Sequence, residues 1–126
     1  MRAITLLLCL SATLAVAQEP KYEMRTYVLG LLKKGPNSGK GTKEEIEQIQ
    51  AGHMANIRKM AATGKLIVAG PFSDNGELRG MFIFDAASTE EVRAMAEADP
   101  AVQQGRLVLE LHPWYAATGL KVDPPK

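Results

Sequence analysis

The spacing of apolar positions changes along this chain, and each change marks an element. Tyr22 to Leu32 (Tyr-Glu-Met-Arg-Thr-Tyr-Val-Leu-Gly-Leu-Leu) is rich in aromatic and branched side chains and predicts a strand. A polar, glycine-rich loop follows from Lys33 to Gly41. Thr42-Lys-Glu-Glu45 is a capping box, so a first helix starts there and runs to about Thr63, with Gly64 as its stop. Ile46, Ile49, Ile57 and Met60 repeat along it at helical spacing. Lys65 to Phe72 predicts a second strand, Asp74-Asn75-Gly76 a turn, and Arg79 to Asp85 a third strand paired with the second as a hairpin. Ser88-Thr-Glu-Glu91 is a second capping box, opening a helix with Val92, Met95 and Ala96 on its apolar side and ending near Asp99-Pro100. Gly105 to Pro113 predicts the last strand, and Thr118 to Lys126 a tail with little to pack.

The order β-α-β-β-α-β is the split βαβ, or ferredoxin-like, arrangement. The expected fold class is therefore α+β, a four-stranded antiparallel sheet with two helices on one face. The other face must meet a ligand, a partner subunit or water. Alternation puts Glu23, Arg25 and Tyr27 on one side of the first strand, and Val108, Glu110 and His112 on one side of the last, opposite Leu107, Leu109 and Leu111. These polar sets can line a common cleft or form a solvated face laced with ion pairs, and the alternation alone allows both.

One residue breaks the apolar pattern. His53 falls on the stripe of Ile46, Ile49, Ile57 and Met60, where an imidazole needs a hydrogen-bond partner to offset its lost hydration. Asp99 continues the apolar side of the second helix and supplies a carboxylate facing the same core. A carboxylate beside an imidazole fixes its tautomer and orientation, as a general acid/base requires. The same pair can also be a structural bond holding two helices in register. Met54, Met60, Met81 and Met95 lie on or near apolar stripes and are expected in the core. A metal site is not expected: there is no His-x-x-x-His spacing, and His53, Glu110 and His112 form the one set worth checking.

Met1-Arg2, the apolar run Ile4 to Leu10 and Ala15-Val16-Ala17 have the layout of a secretory signal, cut before Gln18. Residues 1–17 are thus expected to be removed, residues 18–117 to form one domain and residues 118–126 the tail, in a periplasmic or secreted protein. Leu8 precedes Cys9 where a lipid-attachment site would carry a small residue, so lipidation is not expected. Cys9 is the single cysteine, so the mature chain has no disulfide or thiolate chemistry. Losing Arg2 from the 15 basic side chains brings them level with the 14 acidic ones, which argues against nucleic acid and against an anionic membrane surface.

Ser38-Gly39-Lys40-Gly41-Thr42, lying between a strand and a helix, resembles a phosphate-binding loop. Lys34 and Asn37 stand where the leading and internal glycines of such a loop would be, and those glycines allow the close backbone approach that phosphate needs. A surface loop is the simpler reading.

Several segments taken in order are similar to the YciI-like (YCII-related) family. They are His53 through Gly-Lys-Leu-Ile-Val-Ala-Gly-Pro-Phe72, Arg79-Gly-Met-Phe-Ile-Phe84, Asp99-Pro100 followed by Gly-Arg-Leu107, and His112-Pro-Trp114. The resemblance runs from about Tyr22 to Trp114. It implies a ferredoxin-like α+β barrel that dimerises through its sheets, and acid/base chemistry at a paired histidine and aspartate, here His53 and Asp99. It implies no cofactor. The chain departs from the pattern in its export signal and in the inserted loop Lys33 to Gly41. The expected activity is a lyase or isomerase acting on a small organic molecule, with catalytic His53 and Asp99 in a pocket between the helices and the open sheet face. Arg25, Tyr27, Glu110 and Trp114 are the expected substrate-binding residues: Arg25 for an anionic or enolate-like group, Trp114 as a cover for the pocket or the dimer seam. The alternative is a non-catalytic binding or interaction module with the same dimer and pocket.

Overall fold

The computed structural model describes residues 17–19 and 21–119. Apart from Ala17, Thr118 and Gly119, the expected signal segment and tail lie outside the described residues. Seven elements follow in order: β1 (Met24–Lys34), α1 (Lys43–Ala62), β2 (Leu66–Pro71), β3 (Leu78–Phe84), α2 (Glu90–Glu97), α3 (Pro100–Gln103) and β4 (Leu107–Ala117). The strands form one antiparallel sheet in the order β2-β3-β1-β4, the ferredoxin-like α+β architecture. Among the described residues, no helix is long and apolar enough to cross a membrane.

The first capping box forms as its sequence predicts. Thr42 Oγ1 accepts from the Glu45 amide, and the Glu45 carboxylate accepts from the Thr42 amide. Gly64, at φ 76°, takes the left-handed turn that ends α1. The β2–β3 hairpin turns at Asp74–Gly76, where Asn75 also adopts positive φ and Asp74 accepts from the Gly76 amide.

The second capping box does not form. The Glu91 carboxylate accepts from the Ala87 amide and pairs with Lys65 at 3.1 Å, so α2 starts later, at Glu90, without a side-chain cap. Asp99 lies beyond α2, which ends at Glu97, and caps α3, a short third helix in addition to the two expected. β4 runs through Pro113 to Ala117, because β1 stays paired with it as far as Met24. As an edge strand β4 can carry a proline that a central strand would not.

Residues opposite each other in an antiparallel ladder point to the same face. Val28, Leu32, Phe82 and Phe84 therefore share one face with Leu107, Leu109 and Leu111, and pack against Ile57 and Met60 of α1 and Val92 and Ala96 of α2. The Phe82 and Phe84 rings meet edge to face at 5.8 Å. Of the four methionines expected in the core, Met60 is fully buried and Met95 packs against the core. Met54 is exposed one position past the stripe, and strand parity puts Met81 on the face without helices.

Candidate active site

The helical stripe brings His53 over α3, and the cap of α3 supplies its partner. Asp99 is completely buried and uses both carboxylate oxygens: Oδ1 accepts from the Ala101 amide at 2.9 Å, and Oδ2 lies 2.5 Å from His53 Nδ1. An ionised carboxylate only accepts, so Nδ1 carries the proton and donates, leaving Nε2 as the acceptor. Asp-Pro is well suited to this position: the extended Asp99 caps, and Pro100 at the first helical position lacks an amide that would need a partner. Gly52 permits the close crossing of α1 over α3, since a Cβ there would stand 2.9 Å from Pro100 Cγ.

Among the described residues, His53 Nε2 has no hydrogen-bond partner. No buried side-chain nitrogen or oxygen among the described residues lacks a partner, so Nε2 is open to solvent. The ring, 12% exposed, lines a cavity of about 420 Å³ between α1 and the helix-covered face of the sheet. Leu32, Ile49, Ile57, Phe82 and Leu107 supply apolar wall. Ser38, Gln50, Arg79 and Arg106 complete the polar part of the lining.

The other expected binding residues lie elsewhere. Tyr27 pairs with Trp114, and Leu31 with Glu110, so these side chains and Arg25 point to the helix-free face. This corrects the expectation of one pocket shared by His53, Arg25, Tyr27, Glu110 and Trp114: the sheet itself separates them. Arg25 is bound to Asp85 at 2.5 Å, the Tyr27 and Trp114 rings sit 6.0 Å apart, and Glu110 binds Lys33 at 2.6 Å with His112 at 3.7 Å. The Lys33 hydrogen bond is the largest influence on the Glu110 carboxyl; desolvation opposes it, and with the Lys33 charge and the weaker His112 contacts the balance holds the carboxyl below its ordinary value. The same geometry separates His53 from Glu110 and His112 as metal ligands. Among the described residues no group of three or more His, Cys, Asp or Glu is placed to hold a metal ion.

The inserted loop is docked rather than free. Gly35 and Asn37 donate backbone bonds to the Arg106 and Gly105 carbonyls, Asn37 Nδ2 donates to the Gln104 carbonyl, and Arg106 Nη1 donates to the Lys40 carbonyl. These bonds bring Ser38 and Arg106 to the cavity. They also weigh against the phosphate-loop reading, as does the start of α1, where Glu44 and Glu45 already sit at the positive helix end. Arg79 and Arg106 escaped the sequence reading because each lies at a strand start, where no periodicity marks it.

The YCII-related domain matches residues 24–115, and the chain belongs to that family. An uncharacterized protein of Bacillus subtilis (strain 168), YjpA, is 34% identical over 64 residues, which cover 51% of this chain and 73% of YjpA. Among solved structures, the chain is similar to 5-chloro-2-hydroxyhydroquinone dehydrochlorinase (TftG) from Burkholderia phenoliruptrix AC1100 in complex with 2,5-dihydroxybenzoquinone. That likeness has a TM-score of 0.52 and 24% identity, covers 70% of this chain and 92% of TftG, and establishes shared fold.

Proposed function

We propose that this protein is a cofactor-independent lyase or isomerase of small organic molecules, with His53 as the proton-transfer group and Asp99 as its positioning residue. One observation carries the reading: a histidine whose Nδ1 is held by a buried carboxylate lines a cavity, and its Nε2 has no partner among the described residues. Nε2 would take a proton from an acidic C–H of the bound molecule, and the imidazolium formed would be stabilised by Asp99. Returning that proton to a different carbon completes an isomerisation; loss of a leaving group with its bonding electrons completes an elimination. That a dehydrochlorinase shares this fold fits such chemistry.

The test needs no prior substrate. A panel of small carbon acids is incubated in D2O, and loss of C–H signals is followed by NMR with the wild type and with His53→Gln. Exchange that depends on wild-type His53, in a variant that keeps its fold, supports the reading. If no compound exchanges faster with the wild type, the pocket is a binding site without turnover and His53–Asp99 is a structural pair.

The helix-free face is assigned to a second copy of the chain, forming a barrel from two sheets. Its uncovered apolar side chains, including Leu29, Leu31, Val68, Met81 and the 41%-exposed Val108 and Trp114, support that assignment. The chain would act after export, as the sequence layout of residues 1–17 suggests; N-terminal sequencing of the secreted protein that found Met1 retained would overturn this.

A further inference from the structure

The described lining of the His53 cavity is one-signed in charge. Arg79 and Arg106 both line it, and among the described residues no aspartate or glutamate does. Among the described residues neither arginine lies within ion-pair distance of a carboxylate, whereas Arg25 and Arg93 each have one. Glu45, which borders an adjoining hollow together with Arg106, is committed to the Thr42 amide. Of the five N–H donors of the Arg106 guanidinium, one Nη1 hydrogen is used by the Lys40 carbonyl at 2.7 Å. Arg79 makes one long contact, 3.5 Å, to the Gly76 carbonyl. The one carboxylate close to His53, Asp99, is fully buried behind the ring and saturated by it and by the Ala101 amide.

A cavity with apolar walls, two arginines in its lining and no acid among its described lining residues favours an anion with an apolar body. Guanidinium matches the planar, two-oxygen geometry of carboxylate better than it matches a neutral amide. We infer that the cavity takes a small organic carboxylate, with Arg106 holding the carboxylate group and Arg79 adding the second positive charge. This deepens the acid/base reading and rests on it for the place of the ligand. It also gives the inserted loop a role: its bonds to Gln104, Gly105 and Arg106 fix the position of the guanidinium. An arginine beside the carboxylate would further stabilise negative charge developing next to it when His53 removes an α-proton.

The experiment compares benzoate, phenylacetate and hexanoate with their neutral amides, by thermal shift and by NMR titration of the methionine and isoleucine methyl groups. At least one carboxylate should bind and its amide should bind about tenfold more weakly or not at all, with the difference shrinking at high salt. His53→Gln should keep the carboxylate preference. Arg106→Gln should lose it and Arg106→Lys should recover part of it, each variant being checked for retained melting temperature; Arg79→Gln should weaken binding less. Because His53→Gln is included, a failed exchange assay with intact carboxylate binding would overturn the catalytic reading alone. Equal binding of acids and amides, no binding by any of the carboxylates, or an undiminished preference in folded Arg106→Gln would overturn the carboxylate site and leave the exchange assay standing.

Discussion

Replacing Asp99 should separate its two tasks. In Asp99→Ala the first turn of α3 loses its cap, worth about 1 kcal/mol. His53 Nδ1 loses a charge-assisted partner in a site only 12% exposed, worth about 1.5–3 kcal/mol. The expected loss of unfolding free energy is therefore about 2.5–4 kcal/mol, since both bonds converge on one buried group and, among the described residues, neither oxygen has a second partner. Asp99→Asn is the sharper variant. Its carbonyl can still accept from the Ala101 amide, so the cap survives, but the group facing His53 becomes an N–H donor. The imidazole must then move its proton to Nε2 so that Nδ1 can accept. That exchanges a charge-assisted bond for a neutral one, at a cost of about 1 kcal/mol, and leaves no base facing the cavity. Urea unfolding at neutral pH gives the free energies, and the ¹⁵N shifts of the His53 ring report the tautomer. An Asp99→Ala protein within about 0.5 kcal/mol of wild type, or a wild-type ring protonated at Nε2 instead of Nδ1, would refute the geometry on which the site is built.

Three other outcomes follow from the same geometry. Gly52→Ala should gain about 1 kcal/mol of helix propensity yet fail to stabilise the protein, because its Cβ meets Pro100 Cγ at 2.9 Å; a more stable variant with an unchanged His53 ¹⁵N spectrum would show that α1 and α3 are not in tight contact. For Glu110, whose pKa is lowered in the fold, the sign is that of a carboxylate: its contribution is complete above the ordinary 4.5 and is lost as pH falls through the folded value. The stability difference between wild type and Glu110→Gln should thus shrink on acidification below 4.5, and a difference that grows instead would contradict the Lys33 pairing. Light scattering should find the wild type at twice the chain mass and Met81→Lys at the chain mass with its circular dichroism preserved; a monomeric wild type would remove the second copy from the helix-free face.

His53 was legible because imidazole on an apolar helical stripe is a local anomaly that periodicity exposes directly. Asp99 was legible for a reason that is only partly right. Its spacing continues the α2 stripe, whereas it lies past the end of α2 and is buried because Asp-Pro turns the chain to begin α3. The Asp-Pro pair itself carried that signal, as N-cap and first helical residue. Strand alternation correctly grouped Arg25 with Tyr27 and Glu110 with His112, but it did not reach Trp114, past the expected strand end, and it left open which side the helices cover. Leu107, Leu109 and Leu111 decide it: once the leucine side packs on the helices, the polar side must face away from His53. The cavity arginines were out of reach, since Arg106 is brought there by bonds from a loop about 70 positions earlier in the chain, a pairing that no local pattern encodes.

That division of the sheet separates two questions which a single shared cleft would have tangled. On the helix side, His53, Asp99 and Arg106 are held by elements of the same chain: α1, the cap of α3, and the loop docked at the start of β4. On the other side, Lys33–Glu110 and Arg25–Asp85 surround apolar side chains that no helix covers. Proton transfer at Nε2 and ligand charge at Arg106 therefore depend on contacts that a substitution such as Met81→Lys does not touch. A substitution on the helix-free face that abolished deuterium exchange while leaving the monomer folded would mean that the partner copy shapes the cavity through the sheet. Preserved exchange would place the whole of the chemistry within one chain, with assembly contributing stability alone.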